Sequence, residues 1–176
     1  MIELLGRINP KAQDLLMLPP GFMALSQIDV AHGLGKVRGR GPRLLGRVMY
    51  AEQMEFAPAL EYHLLARLKI AAKLENWHNI AHLPSVAKVS TQLYTKPKRC
   101  GKCKGRGSRQ WAARVIVCPR CCGSSWEPIH NSDLAEAIGV SHSAYTRIWS
   151  KRMGLALDIL AGWDRRCING FSNAMR

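Results

Sequence analysis

Two cysteine pairs, Cys100-Gly101-Lys102-Cys103 and Cys118-Pro119-Arg120-Cys121, carry the most specific chemistry in the chain. A C-x-x-C pair turns two thiolates onto one cation, and two such pairs supply the four soft ligands of tetrahedral zinc. The spacing predicts one structural zinc ion held by Cys100, Cys103, Cys118 and Cys121. Four thiolates leave no open position for water or substrate, so the ion would serve the fold and not a reaction. Gly101, Gly105 and Gly107 suit tight turns that bring backbone amides close to sulfur. Lys102, Lys104, Arg106 and Arg120 favour the thiolate form and offset its charge. Two disulfides, or free thiols in a basic loop, are the alternatives, and without a secretory context disulfides are disfavoured. Cys122 stands beside Cys121 and is an alternative fourth ligand, although Cys118 to Cys122 needs a longer turn.

A second stretch, Asp133 to Ile148, has the parts of a helix pair that reads DNA. Leu134, Ala135 and Ile138 give a first helix its apolar face, with Ala135 small where another helix crosses. Gly139 supplies the turn, Val140 fills the corner, and Ser141 is a good N-cap. Tyr145, Ile148 and Trp149 recur at helical spacing as the buried side of the second helix. His142, Ser143, Thr146 and Arg147 then face outward near its N-terminus, where side chains reach base edges in the major groove. Lys151 and Arg152 lie one turn on, placed for phosphates. An ordinary helical hairpin with a charged face is the plainer alternative.

The rest of the chain must hold these two features. Lys and Arg number 26 against 12 acidic residues, a net charge of +14 that attracts polyanions, nucleic acid first among them. Nine of the basic residues fall between Lys96 and Arg120 with no acidic residue among them. Within that stretch Lys102, Lys104, Arg106 and Arg109 are candidate phosphate contacts, and Trp111 to Val117 alternates as a short hairpin would. At 176 residues and 47% hydrophobic the chain can bury a real core. Lacking a run of about 18 apolar residues or a signal-peptide pattern, it is expected to be neither membrane-inserted nor secreted.

Upstream, Pro10, Pro19 and Pro20 break the first 24 residues, where Leu15 to Leu18 form a short apolar run. Ser26 is placed to cap a short helix reaching Gly33, and Lys36 to Arg43 is expected to be a mobile basic segment among glycines. It is no Walker loop, because Lys36 is followed by Val37. Leu44, Leu45, Val48 and Met49 open a helical body. Pro58 suits the first turn of a helix with a wide apolar stripe running from Leu60 to Leu74. His78 and His82 have the spacing of helix-borne zinc ligands, but Asn79 stands where a catalytic glutamate would be needed, so they are expected as ordinary helix histidines. Pro84 starts or kinks a helix over Val86 to Tyr94. After Arg152 a final helix is expected, with Cys167 as an unpaired thiol and a frayed tail over Asn169 to Arg176. The 12 acidic residues are scattered, with no cluster for a catalytic metal and no nucleophile-base pair, so no catalytic residue and no enzymatic activity are expected.

Cys100 to Gly107, as C-x-x-C-x-G-x-G, also matches the repeat of the zinc region in DnaJ-type chaperones; the second pair keeps only Gly123. That region has four half-repeats and this chain two, so the likeness is local. Over most of its length the sequence resembles the Q-type late-gene transcription antitermination proteins of lambda-like bacteriophages. The residues that carry this resemblance are Leu25-Ser26-Gln27-Ile28-Asp29-Val30 ahead of a glycine-rich segment, the paired cysteines with Gly105, Gly107 and Gly123, and the late Tyr145-Thr146-Arg147-Ile148-Trp149 stretch. The chain departs from that family in a short loop between the pairs and in Ser124-Ser125.

The resemblance implies a protein that binds double-stranded DNA at a late promoter. It would engage bacterial RNA polymerase through the beta flap and the sigma factor, with the host elongation factor NusA as a further partner, and carry the enzyme past pauses and terminators. It also implies zinc on Cys100, Cys103, Cys118 and Cys121, and a place in the bacterial host cytoplasm. No small-molecule substrate is expected. The expected fold is mainly α, a helical body with a helix-turn-helix and an inserted zinc-binding hairpin built on the four-cysteine knuckle. Residues 1–43 would form an arm and basic segment, 44–95 the body, 96–128 the zinc module, and 129–176 the helix-turn-helix and last helix. A zinc-containing helix-turn-helix repressor or activator, working as a dimer on a palindromic site, is the alternative function.

Overall fold

The structure, a computed structural model, describes residues 27–111 and 114–174. The Leu15 to Leu18 run, the Ser26 cap and Ala112-Ala113 lie outside these residues. Two compact units are present: Lys96–His130 forms one, and the described helices before and after it form the other.

The second unit is helical: α1 (Gln27–Lys36), α2 (Arg40–Met49), a 3-10 turn (Met54–Phe56), α3 (Ala57–Leu74), α4 (Leu83–Thr95), α5 (Asn131–Ile138), α6 (His142–Ala144), a π turn (Tyr145–Trp149) and α7 (Ser150–Ala174). α6, the π turn and α7 follow one another without a break, and α7 is the spine on which α1, α2 and α4 pack. Pro58 sits in the first turn of α3, where its missing N–H costs nothing. α3 buries Leu60, Leu64, Leu68 and Ala72, one residue per turn, against α4 and its neighbours. The expected wide stripe is therefore narrower: Leu65 is half-buried, and Ile70 and Leu74 are exposed. Among the described residues, no second layer of helix covers the wider stripe.

Glycines that suggested loops are helix contacts instead. α1 continues through Gly33 to Lys36, and Gly33 meets the Phe171 ring so closely that an added Cβ would stand 1.9 Å from Cδ1. The segment Lys36 to Arg43 is not a mobile loop: α2 begins at Arg40, and Gly41 packs on the Trp163 indole. Gly46 admits Leu34 and Cys167, and Gly170 admits Val37. α7 runs to Ala174 with Gly170 and Phe171 buried, so the expected frayed tail is helical from Asn169 to Ala174, and Met175 and Arg176 lie outside the described residues. Small residues let helix axes approach, and the aromatic ring of the partner fills the space a side chain would have taken.

His78 and His82 are not on a helix but in the turn between α3 and α4. α3 ends with Asn76 in the left-handed region at φ 52. The Trp77 N–H reaches back to Ala72 O at 2.9 Å and the Asn76 N–H to Lys73 O at 3.4 Å, the paired bonds of a Schellman stop. Trp77 is thereby turned back over the start of α7, where the Arg152 guanidinium lies between two indoles, 4.5 Å from Trp77 and 4.4 Å from Trp149. Arg152 also donates to the Asn79 carbonyl.

The first unit is a two-stranded antiparallel hairpin, β1 (Ser108–Trp111) and β2 (Arg114–Val117), with Ser108 opposite Val117 and Trp111 opposite Arg114. Arg99 bridges Trp126, and the Glu127 N–H donates to Lys98 O at 2.8 Å. The two ends of the unit therefore lie side by side, as they must where one module is inserted between helices. Among the described residues, no helix is long and apolar enough to cross a membrane.

Candidate metal centre and basic helix pair

The hairpin connects the two cysteine turns, and their sulfurs converge. Cys100 Sγ is 4.0 Å from Cys118 Sγ, Cys103 Sγ is 3.7 Å from Cys121 Sγ, and all four lie within 4.8 Å of one another, buried. Four sulfurs about 2.3 Å from a central zinc stand about 3.8 Å apart, so the cluster has the size of a single tetrahedral ion. Disulfide sulfurs stand about 2.05 Å apart, and these cysteines are free thiols. The four cysteines can thus hold one metal ion. Cys122 is exposed and outside the cluster, with its thiol near Pro119 O, so it does not take the place of Cys121.

The two turns share one backbone course. Lys104 and Cys122 have φ of 53 and 48, and Gly105 and Gly123 have φ of 82 and 85. This winding aims amides at sulfur: the Gly107 N–H donates to Cys103 Sγ at 3.3 Å, and the amides of Cys121 and Arg120 point at Cys118. Those amides pull the Cys118 thiol down to about 6, whereas burial pushes Cys121 up to about 11. Four thiolates this close repel one another, and a cation at their centre relieves the conflict. A carboxylate outside the cysteine pattern completes the turn: Glu127 accepts from the Gly101 N–H at 3.1 Å and pairs with Arg120. The Gly101 amide, then burial in opposition, then Arg120 together hold Glu127 below the usual carboxylate range. Sequence spacing gave no sign of Glu127, since its partners are set by the fold. Of the candidate phosphate contacts, Lys102, Lys104 and Arg106 are exposed and Arg109 is half-buried. Arg120 is committed to Glu127.

In the helical unit, α5 ends at Ile138 and Gly139 turns the chain at φ 77. Ala135, Ile138, Tyr145 and Trp149 are buried together. Ser141 caps α6, its hydroxyl accepting from the Ala144 N–H at 3.2 Å. His82 braces the turn from below: its Nδ1 lies 3.0 Å from Ile138 O, and its ring meets the Trp149 edge at 5.4 Å. His142, Ser143, Thr146, Arg147 and Lys151 are all exposed. Ile148, expected on the buried side, is 39% exposed. The π turn, closed by the Ser150 N–H on Tyr145 O, widens the helix there and rotates the following residues relative to an ideal α-helix. Arg152, expected to face DNA, is instead only 8% exposed between the two indoles. Burial lowers its pKa, opposed by Glu75.

No family model, curated protein or solved structure matches this chain.

Proposed function

We propose that this chain is a DNA-binding transcription factor of the bacterial cytoplasm, stabilised by one zinc ion on Cys100, Cys103, Cys118 and Cys121, and acting as a late-gene antiterminator. The observation that carries DNA binding is the helix start after Ser141, where five polar or cationic side chains stand exposed on a buried aromatic base in a chain of net charge +14. In this reading α5 and α6 form a helix-turn-helix, His142, Ser143, Thr146 and Arg147 meet base edges, and Lys151 meets phosphate. Antitermination rests on the sequence resemblance: the protein binds at a late promoter, joins RNA polymerase through the beta flap and sigma factor with NusA as a further partner, and catalyses no reaction itself. Zinc is the natural ion for four converging thiols in a closed site.

Single-round transcription across a strong terminator, with and without zinc-loaded protein, tests the proposal. Readthrough that requires promoter-proximal DNA supports it; DNA binding with unchanged termination leaves a conventional repressor or activator. The exposed Tyr62, Ile70 and Leu74 along α3 favour that second reading, since such a face suits two-fold pairing. Dimers in solution with no readthrough would establish it. Arg147→Ala should relax sequence preference by about 1 to 3 kcal/mol if Arg147 reads a base. Equal weakening on every DNA sequence would make it a phosphate contact.

A further inference from the structure

The end of α3 carries cations that the helix pair does not account for. Lys69 and Lys73 are exposed on its last turns and line a cleft of about 520 Å³ with Trp77 and His78. Trp77 also lines a second cleft of about 330 Å³, whose other wall carries Arg147 and Lys151. The indole is therefore a shared ridge, with two exposed cations on each side. None of these four cations forms an ion pair among the described residues. Glu75, an acid that lines the second cleft with Arg147 and Lys151, accepts from Trp77 Nε1 at 2.9 Å. The ridge is fixed in place by the Schellman stop at Asn76 and by the Arg152 guanidinium beneath Trp77.

We infer that Lys69 and Lys73 form a second phosphate-binding surface, which continues the cationic face of Arg147 and Lys151 across Trp77 and holds the sugar-phosphate backbone of duplex DNA beside the bases that the helix pair reads. Unpaired cations on either side of a fixed apolar ridge suit a strand of regularly spaced negative charge, and contacts of this kind position a protein without reading sequence. Two lysines on the last turns of a helix also complement its dipole, a purely structural role that would alter stability and not the salt dependence of binding. The surface has this function only if the chain binds DNA as proposed above.

The test compares the full-length zinc-loaded protein with a Lys69→Ala/Lys73→Ala variant and a Lys69→Arg/Lys73→Arg variant. Binding to a fluorescein-labelled mixed-sequence DNA duplex is followed over about 50 to 200 mM salt. Each lost phosphate contact removes about 0.9 from the slope of log K against log salt, so the alanine variant should bind with a slope shallower by about 1 to 2. The arginine variant should keep the wild-type slope, and thermal melts should show all three proteins folded. An unchanged slope in a folded alanine variant overturns the surface and leaves DNA binding intact. Slope loss on single-stranded RNA but not on the duplex also overturns it. If wild-type protein binds no DNA even at the lowest salt, the surface and the proposed function fall together.

Discussion

Gly107 and Ser125 occupy equivalent points in the two cysteine turns, 18 residues apart like the cysteines themselves, and both have φ 70. Each carbonyl accepts from the first cysteine of the opposite turn: Gly107 O from the Cys118 N–H at 2.8 Å, Ser125 O from the Cys100 N–H at 2.9 Å. The centre is thus a near two-fold repeat with one irregular residue. A serine in the left-handed region costs about 1 to 2 kcal/mol, part of which glycine returns as unfolded-chain entropy. Ser125→Gly should therefore stabilise the metal-bound module by about 0.5 to 1 kcal/mol. The reverse change, Gly107→Ser, should weaken it, because a Cβ there would stand 2.6 Å from Gly123 O. Chelator competition reads both; a Ser125→Gly variant that holds metal no more tightly than the wild type would show that the left-handed backbone of Ser125 carries no cost.

Cys100→Ser or Cys118→Ser should abolish metal binding and unfold the hairpin, since a structural metal contributes its binding energy to folding. Cys122→Ser should retain one equivalent of zinc. Metal content by elemental analysis and the near-ultraviolet spectrum of the cobalt-substituted protein distinguish the two cases. Loss of metal in the Cys122 variant would overturn the ligand set.

Arg152 joins the α3–α4 turn to the start of α7. Arg152→Ala removes two cation–π contacts and should lower stability by about 1 to 2 kcal/mol from these alone. Arg152→Lys should not restore it, because an ammonium lacks the flat face that lies between Trp77 and Trp149. Denaturant unfolding monitored by tryptophan fluorescence provides the comparison; a fully stable lysine variant would mean that charge alone suffices.

Asp164 is a buried carboxylate that accepts from Tyr50 Oη at 2.6 Å and Tyr94 Oη at 3.1 Å. Burial raises its pKa above the ordinary 3.8, and the two tyrosine bonds only partly oppose this. The folded state then holds its proton to higher pH than the unfolded state does. The stabilisation from this group is complete below the unfolded pKa near 3.8 and is lost as pH rises through the folded value. Urea midpoints of the wild type should fall over that interval relative to Asp164→Asn, which has no such proton to lose. Parallel pH profiles for the two proteins would remove Asp164 as the cause.

What the sequence determined by itself is local in origin. Two C-x-x-C spacings specify four converging sulfurs because each pair needs only one turn, and the Gly139 turn with its Ser141 cap is settled by backbone freedom and one short hydrogen bond. Pro58 at the start of α3 is legible for the same reason. The tertiary structure decided whatever depends on partners far along the chain. Gly33, Gly41 and Gly170 could not be told from loop glycines until Phe171, Trp163 and Val37 came to lie against them. Arg152 has the spacing of an exposed cation, yet Trp77 closes over it because a Schellman stop folds the end of α3 back. The Tyr50–Asp164 bond spans 114 residues. Periodicity reports which residues prefer to leave water, but only packing decides which helix covers them, and so which polar groups are enclosed.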